Sequence, residues 1–217
     1  MKRRASLLLA LALAACSAPA STPTAQCPTE PPTTVSAQAT LVDAEIAKVT
    51  IGGSVEGEFE IALRGDVAPL ATANFVALAR CGFYDGIRFH RVLAGFVIQA
   101  GDPQTRDREG DFEGIGQGGP GYGFEIEEPP VDLPFDTYTV AMANNQIANG
   151  SQWFVTLADL DQALRRVGTY TIFGAVVTGT DVIDAIAEVP VNDPDIGVPL
   201  STVRIERIEI SGADEDG

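Results

Sequence analysis

The sequence predicts a mainly β domain, a closed barrel of strands with two helices plugging its ends. Three observations carry that reading. Between about residue 39 and residue 210, most segments are short, rich in Val, Ile, Thr and Phe, and broken by Gly or Pro clusters. Two stretches instead repeat their apolar residues at helical spacing. The chain has 217 residues and 45% apolar side chains, enough to bury one sizeable core, so a single folded domain over residues 39–212 is expected between two tails.

The start lies outside that domain. MKRRASLLLALALAAC opens on Lys2, Arg3 and Arg4, runs apolar from Ala5 to Ala15, and has small residues before Cys16. Such a run is too short to span a membrane and reads as an export signal over residues 1–16. Leu13-Ala14-Ala15-Cys16 resembles a lipoprotein signal motif, in which the cysteine is lipidated and becomes the new N-terminus; an ordinary signal peptide cleaved nearby is the other reading. Residues 17–38 are rich in Pro, Ser, Thr and Ala without periodicity and are expected to be a flexible tether. Losing the leader takes the 14 basic residues to 11 against 30 acidic ones, a net charge of −19. That charge repels nucleic acid and anionic headgroups, which leaves the lipid as the membrane link, and the export signal places the domain in the cell envelope, outside the cytoplasm. That compartment permits disulfides, but spacing alone leaves open whether Cys27 and Cys81 pair. The acidic end, 213–217, is expected to be solvated.

Within the domain, AKVTI and GEFEIAL read as strands. DVAPLATANFVALARCG follows as a helix, with Asp66 as N-cap, Pro69 in the first turn, Val67, Ala71, Phe75 and Leu78 on one face, and Gly82 as the stop. FVIQA, TYTVAMA, WFVTL and YTIFGAVV are further strands. TDVIDAIAEVP is the second helix, capped by Thr180, with Val182 and Ile186 one turn apart and Pro190 at its end; VRIERIEI is the last strand.

Several residues invite a chemical reading. His90 is the single histidine; without a second histidine or a cysteine pair at metal spacing, it is expected to be a hydrogen-bonded structural residue, and neither metal nor cofactor is expected. Gly114-x-Gly116-x-x-Gly119 formally matches a dinucleotide fingerprint, but Pro120 and FEIEEPP follow where a helix is required, so the run reads as a loop that admits a ligand's backbone. Glu127 and Glu128 read as solvated carboxylates. In FHRVLAGFVIQAGD, Arg91, Val97 and Gln99 have equal parity and line up on one face if the strand runs through the Ala94-Gly95 break. An arginine snorkelling from a barrel rim is the other reading of Arg91.

FHRVLAGFVIQAGDP, GQGGPGYGFE, MANNQIANGSQWFVTL and YTIFGAVVTG, in this order, resemble the cyclophilin family of peptidyl-prolyl cis/trans isomerases, as DVAPLATANFVALARCGFYDG resembles that family's first helix and the turn after it. The resemblance implies an eight-stranded antiparallel barrel capped by two helices and, residue by residue, a site. Arg91 takes the catalytic arginine's place, with Phe96 and Gln99 beside it. Phe96 and Phe154 fall on the aromatics of the proline pocket, with Val97 and Leu164 beside them, Tyr170 at its rim and Gln152 a further pocket residue, and Ala143, Asn144 and Asn145 at the backbone-binding edge. Leu93-Ala94 departs from the usual Ile-Pro, the loop from Gln104 to Gly114 is longer than usual, and LADLDQALRRVGTYTIFG is irregular where Leu164 lies. The implied function is isomerisation of X-Pro bonds in exported polypeptides, assisting folding. The expected partners are proline-containing polypeptides, with the chain itself a monomer. A non-catalytic peptide-binding or chaperone module using the same groove is the alternative.

Overall fold

The computed structural model describes residues 26–42, 44–106, 108 and 115–212. The signal segment with Cys16, residues 17–25 of the expected tether and the 213–217 tail lie outside the described residues.

Among the described residues, eight strands form one antiparallel sheet: β1 (Ile46–Gly53), β2 (Gly57–Leu63), β3 (Arg91–Leu93), β4 (Val97–Ala100), β5 (Thr139–Asn144), β6 (Asn149–Thr156), β7 (Ile172–Thr178) and β8 (Val203–Ser211). Their order is β3-β4-β6-β5-β7-β2-β1-β8. Seven of them coincide with the strands read from sequence. The strand does not run through the Ala94-Gly95 break: the chain makes a hairpin there, β3 turning into β4, with the Phe96 N–H donating to the Leu93 carbonyl at 2.9 Å. Gly95, at φ 70°, supplies the left-handed residue the turn requires.

The predicted closure is not reached: the sheet is a curled half-barrel with β3 and β8 at its edges. The chain just before β3 touches β8 at a single bridge, Arg88 to Arg204, where the Phe89 N–H donates to the Val203 carbonyl and the Ile205 N–H to the Ile87 carbonyl. From Arg91 onward the same chain pairs with β4. One short extended segment thus divides its hydrogen bonds between two neighbours, and no strand-length ladder seals the seam.

Among the described residues there are four α-helices rather than two: α1 (Thr34–Thr40), α2 (Pro69–Arg80), α3 (Asp161–Val167) and α4 (Thr180–Ala187). α2 and α4 are the predicted pair, with different caps. Ala68 and Gly179 occupy the N-cap positions; Asp66 ion-pairs with Arg64 instead, and Thr180 is the first helical residue. Their buried residues, Phe75 and Leu78 on α2 and Val182, Ile183 and Ile186 on α4, join one core with Phe59, Ile61, Tyr84, Phe89 and Trp153. α1 lies where the tether was expected. Thr33 and Ser36 form a reciprocal capping box, Ala37 is fully buried, and the helix packs on α2. A disulfide joins Cys27 to Cys81, at the end of α2, so the folded part reaches back to at least Gln26.

Candidate functional site

Alternation along the central strands sorts side chains onto two faces. In β6, Trp153 and Val155 belong to the main core, whereas Phe154 belongs to a second apolar cluster; in β5, Val140 and Met142 go to the first and Ala141 to the second. β4 divides in the same way, with Ile98 in the main core and Val97 in the second cluster. That cluster unites Val97, Phe154 and Leu164 with Phe135, Leu160 and Ile172, and Phe96, Ala143 and Tyr170 pack against it. Phe154 and Tyr170 meet edge to face, ring centroids 5.5 Å apart and planes at 89°. Phe96 and Tyr170 keep part of their surface open, and Leu164 reaches the patch from α3, inside the irregular segment.

Register places the polar residues beside this patch. Arg91 stands opposite Gln99, Gln99 opposite Phe154, and Phe154 opposite Ala141, one row across β3, β4, β6 and β5. Directly opposed residues share a face, so the guanidinium and amide lie on the apolar patch's side of the sheet. Among the described residues, no hydrogen bond or ion pair engages the half-buried Arg91 side chain. Gln99 Nε2 donates to Gln152 Oε1 at 2.9 Å, and Gln152 Nε2 donates to the Gly118 carbonyl at 2.8 Å.

Past Gln99 the surface opens into a polar groove of about 590 Å³, lined by Gln99, Ala143, Asn144, Asn145 and Gln152 and by the glycine-rich loop from Gly116 to Gly123. The structure therefore brings all the predicted site residues of the domain to two adjoining compartments, five on the groove and the rest on the row and patch. Cys16 lies outside the described residues.

The groove's walls rest on residues that sequence reasoning missed. Asp102, fully buried, accepts N–H bonds from Gln104 (2.8 Å), Gly116 (2.5 Å) and Gly118 (3.2 Å), which pins the glycine-rich loop. Opposite, Asn145 Oδ1 accepts from the N–H groups of Ile147 and Ala148, and Asn144 Oδ1 from Gln146, folding the turn between β5 and β6. Buried Asn149 joins that turn to β7's approach by donating to the Thr171 hydroxyl at 3.1 Å. Phe135 and Leu160 also went unseen, since single apolar residues in loops carry no period. Asp102 had one available signal, its place immediately after a strand and ahead of a glycine-rich run whose N–H groups need acceptors.

Two expectations are corrected here. His90 is buried, 5% exposed, but neither ring nitrogen has a hydrogen-bond partner among the described residues. Gln152 acts on the ring, but its amide is committed to Gln99 and Gly118. Burial, with some help from the Arg91 charge, lowers the His90 pKa to about 4 against the opposing pulls of Asp102, the Arg88 backbone and Gln152, so the ring is neutral at pH 7. Glu127 is not a solvated carboxylate. It accepts the N–H groups of Leu70 (2.9 Å) and Ala71 (2.8 Å), supplying from a distant loop the cap that Ala68 cannot give α2.

Comparison with known proteins agrees with this geometry. Residues 46–210 match the family described as Cyclophilin type peptidyl-prolyl cis-trans isomerase/CLD. Peptidyl-prolyl cis-trans isomerase A of Mycobacterium tuberculosis is 40% identical over 174 residues, covering 71% of this chain and 87% of that protein. Peptidyl-prolyl cis-trans isomerase B of Streptomyces anulatus is 40% identical over 173 residues, covering 71% of this chain and 91% of that protein. A Cryptosporidium parvum cyclophilin type isomerase, solved in the presence of the dipeptide Ala-Pro, superposes with a TM-score of 0.64 at 29% identity, covering 76% of this chain and 98% of that one.

Proposed function

Because the chain belongs to the cyclophilin-type peptidyl-prolyl cis-trans isomerases and is an isomerase of X-Pro bonds, we propose that the row Arg91–Gln99–Phe154 is where it works, on proline-containing segments of exported polypeptides. The observation that carries this is a guanidinium with no hydrogen-bond or ion-pair partner among the described residues, placed by register beside an apolar patch. An X-Pro amide rotates over a barrier of about 18–20 kcal/mol because rotation breaks its resonance, and no bond need be made or cut. In the twisted state the nitrogen becomes pyramidal and regains a lone pair. Arg91 donates to that lone pair, an interaction the planar amide does not offer, and so lowers the barrier. Phe96, Val97, Phe154, Leu164 and Tyr170 hold the pyrrolidine ring out of water, where the contact with Arg91 is stronger. Gln99 and Gln152 hold the flanking peptide while the other side turns. Asn144 and Asn145, their side chains occupied in folding the turn, present backbone to the ligand, with Ala143 beside them. The Ala-Pro dipeptide present with the Cryptosporidium protein supports proline-containing ligands for this groove.

Arg91→Ala is expected to lower kcat/KM by about 10²–10³, by analogy with removing one preorganised donor, while peptide Kd changes much less. Exchange spectroscopy on an Ala-Pro peptide measures both. Wild-type exchange by a correctly folded variant would make Arg91 a rim residue and sink the assignment.

Export and lipidation at Cys16 belong to the same proposal. The basic start, short apolar run and small residues of the leader support them, and the Cys27–Cys81 pair suits an oxidising compartment. Cys16→Ser should abolish acylation, since a hydroxyl cannot form the thioether; an unchanged acylated mass would refute the anchor.

A further inference from the structure

A second cavity, of about 410 Å³, opens between the N-terminal segment and α2. Pro28–Thr33 and α1 form one wall, and Ala73, Asn74 and Ala77 of α2 the other. The segment is pinned at both ends, by the Cys27–Cys81 bond and by the Arg80 guanidinium, which donates to the Thr40 carbonyl at 2.9 Å. Tyr122 lines this cavity and the polar groove alike. Its hydroxyl donates to Asn74 Oδ1 at 2.8 Å, and Asn74 Nδ2 donates to the carbonyl of Gly150, which itself lines the groove. One hydrogen-bonded partition thus separates the two spaces.

The lining is more apolar than polar, and its polar part includes acceptors. Pro28, Pro31 and Pro32 carry carbonyls without N–H groups, and Glu30 is exposed with no ion pair among the described residues. An extended backbone, which brings N–H donors, and a basic side chain complement such a surface. The chain's charge of −16 favours the same partner.

We propose that this cavity is an accessory subsite for the client polypeptide already in the groove: the chain continues past Tyr122 in extended form and places a Lys or Arg side chain toward Glu30. The proposal rests on the groove holding client polypeptide. An extended chain advances about 3.3–3.6 Å per residue, so a handful of residues beyond the groove reaches the subsite.

The test uses the full-length protein and Ala-Pro peptides lengthened stepwise by up to about eight residues on either side of the proline, with Lys or Glu at the far end. Lengthening in one direction should tighten Kd by roughly tenfold, with Lys preferred to Glu. Ala77→Trp, which fills the cavity from the half-exposed side of α2, should abolish that gain and leave kcat/KM on the shortest peptide unchanged. If Ala77→Trp does not fold, Glu30→Lys, at an exposed position, should reverse the preference for Lys over Glu. A benzophenone at the far end of the long peptide should crosslink within residues 28–40, read by mass spectrometry. No gain with length in either direction, a gain that survives Ala77→Trp, or crosslinks that map elsewhere would each overturn the subsite. Loss of wild-type turnover on the shortest peptide would fail the groove reading itself.

Discussion

Along the floor, Arg91, Gln99, Phe154 and Ala141 stand in line because strand register puts them there, whereas the rim, from Gly116 to Gly123 and from Asn144 to Asn149, is held by side-chain hydrogen bonds from Asp102, Gln152, Asn145 and Asn149. A ladder positions its residues through backbone pairing, so a floor side chain can change without moving its neighbours. A loop pinned by a few side chains, Asp102 first among them, has little such redundancy. Substitutions on the floor should therefore act on chemistry and binding, and substitutions under the rim on loop order and stability.

Asp102→Ala is the most severe way to break that division. It leaves the N–H groups of Gln104, Gly116 and Gly118 without their acceptor in a partly buried place that water reaches, so a total loss of about 2–3 kcal/mol in unfolding free energy is expected. Amide hydrogen exchange should accelerate from Gly116 to Gly123 while β4 and β6 stay protected, and KM should rise more than kcat falls. Equal loosening of rim and floor would show that they are one cooperative unit. Phe154→Ala tests the other half. Removing pocket surface from ground and transition states alike should cost about 10–100-fold in kcat/KM with weaker peptide binding, and rim exchange should remain as in the wild type.

The floor was legible in the sequence and the rim largely was not. Alternating apolar residues in FVIQA, TYTVAMA and WFVTL announce strands, and parity in those strands sorts Phe154 from Trp153. The β3–β4 hairpin escaped because the Leu93-Ala94-Gly95 break reads equally well as a bulge. α1 escaped because TTVSAQAT is a polar, tether-like stretch, and what holds it is a capping box, one buried alanine and a disulfide, none of which has a period. Asp102 and Glu127 escaped for the same reason: the N–H groups they accept, from Gly116 and Leu70, lie 14 and 57 residues away.

His90 lies between the two regions, beginning the turn into β3 beneath the glycine-rich loop; a β-carbon on Gly116 would sit 3.9 Å from its Nε2. Its pKa is lowered in the folded state, from 6.5 to about 4, so on acidification the unfolded chain takes up the proton first. The stability that depends on the neutral ring is complete above pH 6.5 and is lost as the pH falls toward 4. At about 1.36 kcal/mol per pH unit, the loss should reach roughly 2 kcal/mol by pH 5. Urea denaturation between pH 7 and 5 measures it against His90→Gln, whose stability relative to the wild type should improve on acidification. Parallel curves would mean that the ring protonates in place.

Glu127 gives the smallest expected effect and the finest test of how the rim is joined to the helices. Its carboxylate accepts two N–H groups at the start of α2, which favours the charged form, yet its pKa is raised because burial, with repulsion from Glu125, outweighs those bonds. The folded state therefore binds the proton more tightly than the unfolded chain. By linkage, the contribution is largest below the ordinary glutamate value and declines as the pH rises through the higher folded one, opposite in sign to His90. Glu127→Gln removes the charge and keeps one acceptor, so above that window two changes oppose each other: relief from burying a carboxylate, and loss of one of the two N–H bonds. A net change of no more than about 1 kcal/mol at pH 7 is expected. The informative quantity is the slope. Stability of the wild type relative to Glu127→Gln, from urea midpoints at closely spaced pH values, should fall as the pH rises. A relative stability that rises with pH instead would mean that the two N–H bonds outweigh burial, and that the loop after the glycine-rich run grips α2 more firmly than its half-buried setting suggests.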